Sequence, residues 1–210
     1  MDINYWDNFY KKVTLTKESS NFAKFIVKNY TPINGMSIID LGCGNARDSL
    51  FFHECGMKVT AIDQVSHIDW LNEKYKNFQN LEFRKENFTK LGNNYTYDIV
   101  YSRFTLHSIT EKEQKDVINW TYNYLKNDGI FCVEVRGQQN SLYKKGDRVT
   151  GQADAYYYEN HYRRFLNFNL FCKELTMRGF KVIFSEEARG FAPFEDTDDI
   201  FIRVIAKKQT

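Results

Sequence analysis

The first chemistry offered by this chain lies in one short stretch, IIDLGCGNARD, from Ile38 to Asp48. An apolar run ends at Asp40, and Gly42 and Gly44 then lead into a helical pattern. A dinucleotide turn would read G-x-G-x-x-G and aim its helix at a pyrophosphate. Here the third glycine position holds Arg47, and no G-K-[ST] sequence follows to make a P-loop. Asp40, two residues before the first glycine, would repel a phosphate. It suits a ligand that carries an amine or another cationic group.

A second acid, Asp63, ends the run KVTAID 23 residues after Asp40. An acid there can accept two hydrogen bonds from ribose hydroxyls. The glycines keep side chains away where the backbone approaches a ligand. S-adenosylmethionine has the matching profile: an ammonium, a sulfonium, a ribose diol and no phosphate.

These residues need elements to hold them. Residues 1–30 read as helical, and 36–41 as a buried strand. A helix over 45–55 is stopped by Gly56. Strand 58–63, helix 67–75 and strands 80–84 and 98–102 follow. Thr110 and Glu113 have capping-box spacing ahead of a helix over 111–126. Asn127-Asp128-Gly129 is a turn signal before strand 130–135. A polar, aromatic insertion then precedes a helix over 168–177, closed by Gly179, and strands 180–185 and 200–206. Such alternation predicts an α/β, doubly wound sheet covered on both faces, its last two strands pairing antiparallel. Ligands of that architecture sit beyond the carboxyl ends of the strands. Residues 40–48, 63–64, 86–88, 101–107 and 136 then surround one crevice.

IDLGCGNARDSLFF, VTAIDQ, ENF and YDIVYSRFTLHSI, taken together, resemble class I S-adenosylmethionine-dependent methyltransferases. The resemblance implies a Rossmann-like sheet of seven strands in the order 3-2-1-4-5-7-6. It also implies a cofactor site. Asp40, Gly42 and Gly44 would line the methionine moiety, and Asp63 would bind the ribose with Gln64 beside it. Asn87 and Phe88 would sit at the adenine, or Phe88 would be ordinary core. Ser102 or Arg103 would lie near the methionine end. Ala46 stands where the family often has a third glycine, and is tolerated if its φ is negative. Arg47 and Asp48 would hold the turn, reach the cofactor's amino-acid end, or pair on the helix surface.

The acceptor is read indirectly. Amino-methylation of bases uses an Asn/Asp-Pro-Pro-aromatic motif, but here Tyr101-Ser102-Arg103-Phe104 occupies that place. Cys132, the candidate for base C5 chemistry, lies mid-strand among apolar residues, as a structural thiol does. Arg136, Arg164 and Arg189 at or near strand ends suit bidentate recognition of an anion. The insertion, residues 137–165, adds Tyr158 and His161; Lys144 and Lys145 read as a solvated loop. His107, in FTLHSI, is the candidate general base, or else a helix-start histidine bonded to backbone. VEVRG, NHYRRF and SEEARGFAPFEDTDDIFIRVIA resemble small methyltransferases of bacterial capsule and surface-polysaccharide synthesis. That resemblance implies sugar, phosphate or phosphoramidate acceptors, and brings Glu187 to the acceptor site along with Glu186 and Arg189.

With 210 residues, 42% of them hydrophobic, the chain reads as one domain over residues 1–210. Residues 1–30 form its helical cover, with Tyr5, Trp6 and Tyr10 over the crevice or in the core. The 29 basic and 27 acidic residues do not suggest a nucleic-acid binder. Four scattered cysteines show no metal spacing and fit a reducing compartment. No apolar run approaches the ~20 residues of a membrane span, nor does the start resemble a signal peptide. A cytoplasmic enzyme without metal is expected: an O-methyltransferase of a small anionic acceptor, its oligomeric state open. The alternatives are a methyltransferase of another small carboxylate or amine metabolite, and a non-catalytic S-adenosylmethionine-binding module.

Overall fold

The computed structural model describes residues 3–12, 18–30, 34–92, 95–194 and 196–209, with backbone alone for 3, 4 and 10–12. The Tyr10 side chain, residues 1–2 and residues 13–17 of the expected cover lie outside the described residues. Helices α1 (Ile3–Lys12) and α2 (Asn21–Asn29) lead into strand β1 (Ser37–Leu41). Then come α3 (Arg47–Glu54), β2 (Lys58–Asp63), α4 (His67–Tyr75), β3 (Leu81–Lys85) and β4 (Tyr97–Arg103). Helix α5 (Glu111–Tyr124) and strand β5 (Leu125–Val135) precede the insertion. Within it lie β6 (Asp147–Arg148), β7 (Ala155–Tyr158) and β8 (His161–Arg164). The chain closes with α6 (Phe168–Arg178), β9 (Phe180–Ala188) and β10 (Phe201–Lys208).

The large sheet runs β3-β2-β1-β4-β5-β10-β9. The first five strands are parallel, while β10 is antiparallel to both β5 and β9. Renumbered within the sheet, this is 3-2-1-4-5-7-6, the expected order. Side chains alternate across the strands and so feed two cores. Ile39, Leu41, Val100 and Phe131 pack on the face of α5 and α6. Ile38, Ile99, Tyr101 and Cys132 pack on the opposite face with Phe22, Ile26 and Phe52 of α2 and α3. Burial on both faces explains the continuous apolar runs of the parallel strands.

Local signals set the helix ends. Thr110 and Glu113 form a complete capping box at α5. Asn167 caps α6 at its start, and Gly179, at φ 109°, closes it. Two expectations change, and the insertion gains structure. Asn127-Asp128-Gly129 does not separate helix from strand, because β5 already starts at Leu125. Those residues form an irregularity inside the strand: Asp128 has φ 63° and the register jumps from Tyr97↔Leu125 to Ile99↔Ile130. The insertion, read from the sequence only as polar and aromatic, carries an antiparallel sheet of its own, β6-β7-β8. Ala46 does not have a negative φ; it sits at 63°, in the left-handed region, fully buried. An alanine there costs roughly 1–2 kcal/mol that glycine would avoid.

Candidate active site

The glycine turn joins the ends of β1 and β2. The amides of Gly42 and Cys43 both donate to the Ile62 carbonyl, at 2.8 and 3.0 Å. Gly42 has φ 77°, and a Cβ there would come within 2.4 Å of Thr105 Cγ2. Only glycine brings the backbone so close. Phe88 approaches the same turn from the core, 1% exposed.

Three buried carboxyl groups surround this turn. Asp40 accepts from Ser49 Oγ at 2.6 Å. Burial, reinforced by the charges of Asp48 and Asp63, raises its pKa to about 8. Asp63 accepts from the amide of Gly44 through Oδ2, and from those of Gln64 and Val65 through Oδ1. Burial raises its pKa despite these bonds. With one bond to it, Oδ2 keeps a second lone pair for a hydroxyl donor. A cationic amino acid and a ribose fit this donor set. Asn87 caps a short turn, its Oδ1 accepting from the amide and hydroxyl of Thr89.

Asp48 is no surface partner of Arg47. It is buried, accepting from the Ser20 amide and hydroxyl at 2.7 Å each and from the Tyr101 hydroxyl at 2.8 Å. This latch ties the start of α2 to α3 and β4. Arg47 Nε stands 4.0 Å from Asp48 Oδ1.

Across the crevice, Ser102 Oγ and Thr105 Oγ1 are 2.5 Å apart. Phe104 follows β4 with φ 61°, a strained conformation for an aromatic residue. Its ring stacks on Phe201 at 4.9 Å, and the Arg103 guanidinium lies 4.1 Å from its centroid. Arg103 Nε donates to Glu134 at 2.8 Å, and Arg203 Nε donates to the same buried carboxylate at 2.6 Å. His107 is buried, and its Nδ1 accepts the Arg136 amide at 3.4 Å. Desolvation, then the charge of Arg136, hold its pKa well below the usual histidine value. The ring is therefore neutral with its hydrogen on Nε2.

The insertion faces the same mouth, and alternation along β8 divides its residues. His161 stacks on Tyr5 of α1 at 4.1 Å and meets Trp6 edge-on at 5.1 Å. Arg163, two residues on, donates to the Tyr158 carbonyl at 3.0 Å and to the Tyr5 hydroxyl. Arg164 points the other way. It is buried, donating to the carbonyls of Ile109 and Leu106 and to Gln114 Oε1. Its donors thus serve the protein interior. Glu187 accepts from the amide and side chain of Gln139, and Arg189 donates to the Asp198 carbonyl. Both residues brace the insertion and the loop before β10.

Sequence reasoning passed over Arg163 in favour of its neighbour, although the period of two in NHYRRF was available. Asp7 of α1 was also missed. Its Oδ1 accepts from the amide and hydroxyl of Ser66 at 2.7 and 2.9 Å. Helix α1 thereby reaches from the end of β2 to the insertion. Among the described residues no cluster of three or more His, Cys, Asp or Glu is arranged for a metal, and no helix is long and apolar enough to cross a membrane.

Residues 38–129 match the family model of a methyltransferase domain. A 90-residue stretch is 31% identical to the cypemycin N-terminal methyltransferase of a Streptomyces species, spanning 42% of this chain and 37% of that protein. Among solved structures, the chain superposes on an S-adenosylmethionine-dependent methyltransferase from Methanosarcina mazei with a TM-score of 0.74. Identity there is 19%, over 88% of this chain and 97% of that one. It also superposes on 1,6-didemethyltoxoflavin-N1-methyltransferase from Burkholderia thailandensis, with bound 1,6-didemethyltoxoflavin and S-adenosylhomocysteine. That TM-score is 0.70, at 17% identity over 90% and 77% of the two chains. The match to a methyltransferase domain thus falls on the β1–β5 half that carries the glycine turn, Asp40 and Asp63, and the fold of the chain is the one those solved S-adenosylmethionine-dependent methyltransferases share.

Proposed function

We propose that this protein transfers a methyl group from S-adenosylmethionine to a small, negatively charged acceptor. The observation that carries this reading is the pairing of two buried acids, Asp40 and Asp63, across a turn that only Gly42 can make. Asp40 would hold the ammonium and Asp63 the ribose, with Gly44 and Gln64 keeping the Asp63 carboxylate in place. Bound S-adenosylmethionine would supply a methyl group already activated by its sulfonium. The protein then has mainly to align the acceptor, an effect that can contribute ~7–11 kcal/mol.

Arg136 and His161 are the acceptor-side residues of this reading, with Tyr158 at the rim. His107 serves best as the acceptor, through Nδ1, that holds the Arg136 backbone amide. It does not remove a proton in the tautomer described, which favours an acceptor oxygen that is already anionic. The narrower reading, an oxygen acceptor in surface-polysaccharide synthesis, is supported by the resemblance of the distal half alone. Two of the named relatives, by contrast, are nitrogen methyltransferases. An amine acceptor is therefore the second reading, and the arginines at the mouth weigh against a cationic one.

Two measurements test the proposal. Calorimetry with S-adenosylhomocysteine should show binding that Asp63→Ala weakens severely; equal affinity in the variant removes the cofactor assignment. Mass spectrometry of activated sugars, phosphorylated precursors, carboxylates and amines incubated with S-adenosylmethionine should show methyl transfer to an anionic member. Transfer confined to amines would favour the second reading.

A further inference from the structure

We propose that Arg136 and Arg163 together form a clamp for an oxyanionic group of the acceptor; this rests on the methyltransferase reading above. The two arginines come from separate elements, the end of β5 and the middle of β8. Arg136 Nη1 donates to Asn140 Oδ1 at 2.9 Å, and its guanidinium lies 5.0 Å from the Phe201 centroid. Among the described residues, no hydrogen bond engages its Nε or Nη2. That edge of the guanidinium is the fork that meets two oxygens of one anion. Arg163 is oriented by the Tyr158 carbonyl and the Tyr5 hydroxyl.

The charges at this mouth do not balance. The carboxylate near Arg136 is Asp199, 3.7 Å from Nη1. Asp199 already accepts from the Ser141 amide and hydroxyl and from the Ile200 amide. Glu134, the next acid, is shared between Arg103 and Arg203. After desolvation, the charge of Arg163 is the largest cause lowering the Arg136 pKa to about 10. Two half-buried like charges therefore act on each other, beside an Asp199 that is already engaged and a Glu159 whose charge bears on Arg163. An arrangement of this kind raises the free energy of the unliganded fold and lowers it when an anion enters. Phosphate and carboxylate groups share the required chemistry.

The test uses the full chain loaded with S-adenosylhomocysteine. Inorganic phosphate and acetate are titrated by calorimetry at constant ionic strength. One of the two should bind saturably, naming the class of oxyanion. Arg163→Gln and Arg136→Gln should each weaken that binding at least about tenfold, while Arg163→Lys, which keeps charge but loses the fork, falls between. Lys145→Gln, on the exposed part of the insertion, should leave it unchanged. Thermal melts of each variant, without anion, separate a loss of folding from a loss of the clamp. No saturable binding of either anion overturns the proposal, as does equal affinity in wild type and both glutamine variants. If S-adenosylhomocysteine binds while the anions do not, only the clamp falls. If S-adenosylhomocysteine itself does not bind, the methyltransferase reading falls first.

Discussion

Asp40 shows how burial can couple a single carboxyl group to a ligand. With a pKa of about 8 it is mostly protonated at pH 7 in the unliganded protein. A cationic amino acid beside it would favour the carboxylate. Binding of S-adenosylhomocysteine at pH 7 should therefore release close to one proton, measurable by calorimetry in buffers of different ionisation enthalpy. Asp40→Asn should abolish the release. The same group bears on stability. An unfolded aspartate loses its proton near pH 4, so between about pH 4 and pH 8 the folded chain holds one more. Its contribution to the unliganded protein is whole below that window and gone above it. Denaturant midpoints across the window should fall with rising pH, and less steeply in Asp40→Asn. Neighbouring arginines divide more sharply. Arg164→Ala leaves three interior acceptors without a donor and should cost about 3 kcal/mol, whereas Arg163→Ala should cost under about 1 kcal/mol. At this scale the sequence was only partly legible. Asp40, Gly42 and Asp63 stand out because turn chemistry is local, but which of two adjacent arginines faces the crevice depends on a strand hidden among polar residues.

The elements were more legible than the contacts between them. Period and capping residues place most strands and helices of the large sheet within a few positions, since those signals act over one or two turns. Two features escaped because they depend on distant partners. The 127–129 turn is absorbed into β5, where Lys126 Nζ reaches Asp98 and Lys207 reaches Asp128. Asp48, for which a surface pair with Arg47 was one of three readings, instead holds α2 to the sheet through Ser20 and Tyr101. Asp48→Ala would leave the buried Ser20 amide and Tyr101 hydroxyl without this acceptor. We expect a loss of about 2–4 kcal/mol, read as a lower denaturant midpoint at unchanged m-value. Asp48→Asn should recover part of it, because its amide oxygen can still accept.

At the scale of the whole molecule, α1 is the element that touches both sides of the crevice. It is fastened at Ser66 through Asp7 and at His161 through Tyr5 and Trp6. Asp7→Ala removes one fastening and keeps Asp40 and Asp63, while also lifting a negative charge that helps raise the Asp63 pKa. It should speed dissociation of S-adenosylhomocysteine several-fold in stopped-flow measurements, with a change in melting temperature of no more than a few degrees. That bridge was invisible in the sequence, where YWDNFYKK reads simply as an amphipathic start. The buried arginine of β8 has a consequence of another kind. The hairpin of the insertion is joined to the strand ends at Gly137 and Leu166, and locked from beneath by Arg164 on Gln114. A transplant of residues 138–163 from a related chain, leaving Arg164 and Gln114 in place, would exchange the face presented to the acceptor and keep the lock. New acceptor preferences could then arise by recombination of that hairpin alone, while the turn at Gly42 passes unchanged from parent to chimera.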